Sequence, residues 1–243
     1  MTQVCVIFGA GEYYAGTPVV PAGAYVIAAD GGLDHTRQLG IVPDVVVGDF
    51  DSRGRARPAP HRCRAPSRSP ALKDDPDMLS ALKVGWSAGC REFHVYGGLG
   101  GRIDHTISGI QLMALLARHG ASGYLYGDGL IVTAITDGRL SFPAHPVPED
   151  GRMVSAFSHS DVSLGVNEPG LKYELKDGTL TNTVVQGVSN EFRDGVDAAI
   201  SVEHGTLIVT FPIEVALPQV SRFHEFGGDI GELDTAVSKL LVR

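Results

Sequence analysis

Two aspartates close together in the sequence mark the first candidate site. The stretch PDVVVGDFDS, residues 43–52, places Asp49 and Asp51 directly after an apolar run that predicts a buried strand. In extended backbone, residues two positions apart face the same side, so the two carboxylates should converge while Phe50 turns into the core. A hard divalent cation with oxygen ligands relieves their repulsion, and we therefore predict a Mg²⁺ site that also holds substrate phosphates.

Two further aspartates could join this site. Asp30 ends the apolar run YVIAAD, although an aspartate after a strand serves equally well as a turn or a helix cap. In the stretch DDPD, residues 74–77, Asp75 could cap a helix, with Pro76 in its first turn, and Asp77 would favour that turn through the helix dipole. Asp77 could fill that role and still reach a metal ion.

A glycine-rich turn offers a place for phosphate. The stretch GGLGGRIDH, residues 97–105, runs from glycines into a predicted helix, and backbone N–H groups at a helix start bind phosphate. The pattern alone is weak evidence, because glycines are common in tight turns. The same turn brings Arg102 and Asp104 to the site, whereas His105 reads as an ordinary helix residue.

The elements that position these residues alternate between strand and helix. Such alternation predicts a mostly parallel sheet, in which ligands bind beyond the carboxyl ends of the strands. We therefore predict a Rossmann-like, three-layer α/β domain over residues 1–145 that binds nucleotide and metal.

The second half of the chain has a different texture. Short β-rich runs broken by Gly, Asn, Asp and Pro predict an antiparallel β-sandwich or roll over residues 146–216. Residues 217–243 would form a C-terminal extension with a short amphipathic helix, GELDTAVSKLLVR. The Arg- and Pro-rich stretch 52–70 predicts a surface loop.

Composition narrows the choice of partner and compartment. A formal net charge of −8 argues against nucleic acid or an anionic membrane as the main partner. Three cysteines without a short spacing predict neither a disulfide framework nor a zinc site. Without a signal-peptide pattern or a long apolar run, the sequence predicts a cytoplasmic protein.

Taken together and in this order, the motifs resemble the thiamine pyrophosphokinase family. The resemblance covers roughly residues 4–212 and rests on segments of both predicted domains: residues 30–32, 43–44, 48–52, 73–77 and 97–105, and the later stretches SLGV, GLKYEL and GVSNEF. Pro76 departs from the pattern, because the family usually has Thr there.

The resemblance implies a reaction and a cofactor. Enzymes of this family move a pyrophosphoryl group from ATP to the hydroxyethyl oxygen of thiamine, which gives thiamine diphosphate and AMP. Mg²⁺ would be held by Asp30, Asp49, Asp51 and Asp77, and the catalytic set would be Asp49, Asp51, Asp77 and Arg102. ATP would contact Asp30, Gly31, Gly98, Gly100, Gly101 and Arg102. One of the aspartates could accept the hydroxyl proton, and the sequence does not decide which.

The resemblance also implies a homodimer with the active site at the subunit interface. Tyr173, Ser189 and Asn190 of the neighbouring subunit would bind thiamine, and Asp104 is a second candidate for that pocket. Taken alone, Tyr173 reads as a residue packed in a strand.

Two other functions compete with this reading. A pyrophosphokinase of the same fold could act on another hydroxymethyl heterocycle such as a pterin, but it would have no reason to keep GLKYEL followed by GVSNEF. A nucleotide- or thiamine-binding sensor without turnover would be expected to have a degraded acidic cluster, and here all four aspartates are present.

Overall fold

The computed structural model describes residues 3–14, 18–48, 76–148 and 152–233. Asp49, Asp51, Asp75, the stretch 52–70 and most of the predicted C-terminal helix lie outside these residues. The described helices are α1 (Gly32–Gln38), α2 (Asp77–Ser87) and α3 (Ile103–Arg118). The described strands are β1 (Gln3–Phe8), β2 (Tyr25–Ala29), β3 (Val45–Val47), β4 (Cys90–Tyr96), β5 (Ser122–Tyr126), β6 (Leu130–Phe142), β7 (Met153–Ser158), β8 (Val162–Val166), β9 (Gly178–Thr181), β10 (Asn190–Glu191), β11 (Ala198–Pro212) and β12 (Gln219–Arg222).

Five parallel strands form one part of the sheet, in the order β3-β2-β1-β4-β5. Successive residues of a strand face opposite sides, and here both sides are covered. Ile27 of β2 packs in the core cluster that α2 and α3 complete, whereas Ala28 packs with Leu33 of α1. Burial on both faces explains why β1, β2 and β3 read as nearly continuous apolar runs.

This part of the structure agrees with the predicted alternation of strands and helices. Helix α1 is followed by Gly40, whose φ of +68° is typical of the glycine just beyond a helix end. Helices α2 and α3 begin directly after the DDP and glycine-loop segments. The finer description of the domain as Rossmann-like stays a prediction.

The sheet continues into an antiparallel part through one long strand. β6 pairs with β5 at its start and with β11 from Leu130↔Pro212 to Phe142↔Ala198. β11 in turn pairs with β7 and touches β8, and these strands enclose a second cluster of buried residues around Phe142. Because β6 precedes residue 146 and β11 follows it, the two predicted domains share one continuous sheet. The domain boundaries and the sandwich description stay predictions.

The segment after residue 217 contributes a strand that the sequence did not predict. β12 pairs with β6, and Arg222 donates from Nη2 to Ser122 Oγ at 3.1 Å. His224 Nε2 lies 2.9 Å from Asp137 Oδ2, and this contact raises the pKa of His224. The start of the C-terminal extension is therefore bound to the main sheet. In the described ranges, helices long and apolar enough to cross a membrane are absent.

Candidate functional site

The carboxyl end of β2 holds the first predicted metal ligand. Asp30 has a φ of +46°, in the left-handed region that aspartate tolerates better than most residues. Its backbone N–H donates to the carbonyl oxygen of Val47 at 2.7 Å, which ties this turn to the end of β3. A Cβ added at Gly48 would lie 3.1 Å from the Asp30 Cα, so the glycine permits the close approach. The neighbouring strand thus fixes Asp30 at the sheet edge.

Helix α2 places Asp77 close to the same edge. Asp77 is the first residue of the helix, and Pro76 occupies the N-cap position with φ −56° and ψ 148°. A Cβ added at Gly9, in the turn after β1, would lie 2.8 Å from Met78 Cε and 2.9 Å from the carbonyl oxygen of Gly97. Three segments therefore lie together at this point: the start of α2, the turn after β1 and the loop after β4.

The predicted Mg²⁺ ligands can be followed only in part. Asp30 and Asp77 are described, whereas Asp49 and Asp51 lie outside the described residues. Over residues 3–14, 18–48, 76–148 and 152–233, no group of three or more His, Cys, Asp or Glu is arranged to hold a metal ion. The donors that the edge does present are carboxylate oxygens, which suit a hard cation such as Mg²⁺. The four-aspartate site stays a prediction.

The loop after β4 needs its glycines for their backbone conformation. Gly97, Gly100 and Gly101 have φ values of +70°, +81° and +65°. A Cβ at Gly100 would collide with the hydroxyl of Tyr14, which reaches over the loop from the turn after β1. The N–H of Gly100 donates to Thr106 Oγ1 at 3.2 Å, so this N–H is already used within the loop. The loop is shaped as a narrow backbone turn at the start of α3.

Arg102 and Asp104 are paired with each other. Arg102 donates from Nε to Asp104 Oδ1 at 3.1 Å and from Nη2 to Oδ2 at 2.6 Å, and both side chains are exposed. The guanidinium lowers the pKa of the Asp104 carboxyl. The family resemblance assigned Arg102 to ATP and Asp104 to thiamine. Their contact means that a group bound by one is within reach of the other.

A cavity of about 620 Å³ opens beside the glycine loop. His94 lies in its wall, with ring nitrogens 2.8 Å from the Tyr126 hydroxyl and 3.0 Å from Glu92 Oε1. The rings of Tyr96 and Tyr126 stack at 4.4 Å, and the N–H of Val19 donates to the Tyr96 hydroxyl. The hydrogen bond to His94 lowers the pKa of Glu92. Further lining residues are Glu12, Tyr13, Tyr14, Gly97 and Glu214.

The sequence interpretation missed this cavity, although a signal for it was present. The stretches FHVY and GYLY alternate polar aromatic residues with apolar ones in two neighbouring strands. Alternation of this kind directs His94, Tyr96, Tyr124 and Tyr126 to one face of the sheet. Both stretches are followed by Gly, at Gly97 and Gly127. Because β4 and β5 run parallel to β2, this face ends at the same edge of the sheet as Asp30.

The predicted thiamine residues lie together in the antiparallel part. Tyr173 is 61% exposed, and the Lys172 ammonium stands 5.3 Å from its ring centroid. Ser189 is exposed with a φ of +61°, and its N–H donates to Ser155 Oγ at 3.0 Å. Asn190 is buried and bonds to the backbone of Tyr173. The structure therefore brings Tyr173, Ser189 and Asn190 into one group.

This group and Asp30 lie at strands that are well separated in the order of the sheet. The sheet order β10-β7-β11-β6-β5-β4-β1-β2 puts seven strand-to-strand steps between β10, which holds Asn190, and β2. Seven steps would span about 30 Å in a flat sheet.

Several solved structures share this fold. The thiamine pyrophosphokinase of Bacillus subtilis matches with a TM-score of 0.73 and 22% identity, over 88% of this chain and 100% of that chain. The enzyme of Geobacillus thermodenitrificans matches with a TM-score of 0.71 and 21% identity over the same shares. That of Candida albicans matches with a TM-score of 0.69 and 12% identity, over 88% of this chain and 90% of that one. The chain has the mixed α/β and β fold of these proteins.

The sequence of the α/β part matches a family model. Residues 19–125 match the family described as thiamin pyrophosphokinase, catalytic domain, and the predicted resemblance to the thiamine pyrophosphokinases is thereby confirmed. A search of curated proteins gave no match. The family match and the shared fold together support a transferase of the thiamine pyrophosphokinase type.

Proposed function

We propose that this protein transfers the pyrophosphoryl group of ATP to the hydroxyethyl oxygen of thiamine. The observation that carries the proposal is the family match over residues 19–125, which spans the Asp30 turn, Asp77 and the glycine loop. In the reaction, the thiamine oxygen bonds to the β-phosphorus, and the bond from that phosphorus to the oxygen bridging to the α-phosphate breaks. AMP leaves with the bridging oxygen, and the thiamine hydroxyl gives its proton to one of the aspartates of the site.

The chain's own residues would position charge rather than form covalent bonds. Asp30 and Asp77, with Asp49 and Asp51 from the sequence, would hold Mg²⁺, which when bound neutralises phosphate charge. Arg102 is exposed at the start of α3, where its guanidinium can stabilise negative charge on the transferring group. Its ion pair with Asp104 orients it without burying it.

The nucleoside of ATP would occupy the cavity beside Gly97. The volume of this cavity, about 620 Å³, is in the range of small-molecule sites. Tyr96 and Tyr126 offer flat aromatic surfaces, and the carboxylates of Glu12 and Glu92 can accept hydrogen bonds from amino or hydroxyl groups. The described lining residues include neither Lys nor Arg, so the phosphates would extend out of the cavity toward the glycine loop and Asp30.

Thiamine would bind between two copies of the chain. The exposed ring of Tyr173 suits a flat cation, and the exposed hydroxyl of Ser189 can bond to the polar edge of the aminopyrimidine. The seven strand-to-strand steps between β10 and β2 support a homodimer in which each site takes Asp30 from one subunit and Tyr173 from the other.

One assay tests the reaction directly. Purified protein incubated with ATP, Mg²⁺ and thiamine should release AMP and thiamine diphosphate in equal amounts. ADP should not form, because the β- and γ-phosphates move together. Release of ADP, or no thiamine-dependent release of AMP, would overturn the proposed function.

Replacing Tyr173 tests the thiamine site separately. Because a cation over an aromatic ring gains on the order of 1–2 kcal/mol, Tyr173→Ala should raise the KM for thiamine about tenfold. The KM for ATP should not change, and Tyr173→Phe, which keeps the ring, should stay within about threefold of the wild type. Steady-state kinetics with each substrate varied in turn measures both constants. An unchanged thiamine KM in the alanine variant would mean that Tyr173 serves packing alone.

A further inference from the structure

The side-chain amide of Asn190 is fully occupied within the protein. Nδ2 donates to Glu168 Oε2 at 2.8 Å and to the carbonyl oxygen of Tyr173 at 2.9 Å. Oδ1 accepts from the N–H of Tyr173 at 3.0 Å and from the N–H of Glu191 at 2.9 Å. An amide offers two donors and one oxygen with two lone pairs, so all four positions are filled. With 6% of its surface exposed, Asn190 presents no free polar group to a ligand.

The side chain of Asn190 forms the two main-chain hydrogen bonds with Tyr173 that a neighbouring strand would form. It bonds to both the N–H and the carbonyl oxygen of Tyr173, which fixes the main chain from which the exposed ring projects. It is also the residue after Ser189, whose left-handed φ of +61° is sustained by a hydrogen bond from its N–H to Ser155. The orientation of Asn190 therefore sets the relative placement of the tyrosine ring and the serine hydroxyl.

A buried carboxyl holds the amide in this orientation. Glu168 is only 3% exposed, and its N–H donates to the carbonyl oxygen of Leu175, which closes the turn that carries Tyr173. Glu168 Oε2 accepts from Asn190, whereas Oε1 receives no hydrogen bond from the described residues. Burial raises the pKa of this carboxyl. A buried carboxyl with one oxygen left without a hydrogen bond lowers the stability of the fold, so a contribution to stability does not explain why Glu168 is at this position.

We propose that Glu168 is a positioning residue for the thiamine site. Acting through Asn190, it fixes Tyr173 and Ser189 in the arrangement that receives thiamine, and Asn190 itself does not touch the substrate. This inference rests on the proposed function, because it takes the group around Tyr173 to be the thiamine site.

Four variants separate the hydrogen bond from the bulk of the side chain. Glu168→Gln keeps an acceptor for Asn190 and should leave the thiamine KM within about threefold of the wild type. Glu168→Leu removes the acceptor and should raise the thiamine KM about tenfold, with the KM for ATP unchanged. Asn190→Asp faces Glu168 with a second carboxyl and should raise the thiamine KM further. Combining it with Glu168→Gln restores a donor between the two residues and should recover part of the loss.

The control and a second measurement make the result decisive. Glu203→Leu makes the same change at an exposed glutamate of β11 and should leave all constants unchanged. Hydrogen exchange of the peptide containing Tyr173 should become at least about tenfold faster in Glu168→Leu and stay near wild type in Glu168→Gln.

Several outcomes would overturn the inference. They are an unchanged thiamine KM in Glu168→Leu, a parallel rise of the KM for ATP, or equal effects of the Gln and Leu variants. A wild type that forms no thiamine diphosphate overturns the proposed function instead. In that case hydrogen exchange still decides whether Glu168 fixes Tyr173.

Discussion

Asp30→Asn is expected to reduce turnover by roughly 10²–10³-fold, the range seen when one preorganised electrostatic contact to a reacting group is lost. Asparagine keeps the size of the side chain and tolerates the left-handed φ of +46° at this position, so the turn should persist. The hydrogen bond from the residue 30 N–H to Val47 involves only backbone and should also persist. What the variant removes is a negative charge at the sheet edge, and thermal melting should therefore change little.

Asp177→Asn provides a matched control for this loss. Asp177 has a φ of +49° and is exposed in the turn before β9, so the same chemical change is made in the same backbone conformation. It should retain full activity. Raising the Mg²⁺ concentration should restore part of the activity of Asp30→Asn, because a weakened ion site can be refilled by mass action. Wild-type turnover in Asp30→Asn would show that Asp30 is only a turn residue.

The sequence predicted the parallel part of the fold because its signals are local. The runs ending at Phe8, Ala29 and Val47 are mostly apolar, and each is followed by Gly or Asp. Each local choice agrees with the sheet that results, so the carboxyl edge could be placed without a structure. The glycine loop was located for the same reason, since its positive φ values require residues without a Cβ.

The roles of individual site residues depend on contacts between distant segments, which local patterns do not encode. The hydrogen bond between Asn190 and Glu168 joins positions 22 residues apart. The four hydrogen bonds of the Asn190 side chain form only when the turn that carries Tyr173 is folded. The aromatic cavity arises where β4 meets β5 and the turn after β1 covers them. In the same way β12 reads as an unremarkable polar stretch, and only its register with β6 makes it a strand.

The loop between β9 and β10 exposes three valines close together in the sequence. Val184, Val185 and Val188 are 52%, 84% and 51% exposed, and the loop leads directly to Ser189. Asn190, the residue after Ser189, accepts a hydrogen bond from the N–H of Tyr173, and the ring of Tyr173 is also exposed. Grouped apolar residues with a polar rim are typical of protein interfaces. This surface supports the proposal that a second copy of the chain covers the thiamine site.

Val185→Asp is therefore expected to convert a dimer into a monomer at micromolar concentration. A charge without a partner is strongly disfavoured in a buried interface, and separated subunits would lack the residues that the other chain supplies. Turnover should fall by about 100-fold or more, whereas each subunit should keep its fold, because Val185 makes little contact within its own chain. Light scattering coupled to gel filtration measures the mass, and Val42→Asp, at a 61% exposed valine in the α/β part, should remain dimeric and active. A monomeric Val185→Asp variant with full activity would show that one chain builds the whole site.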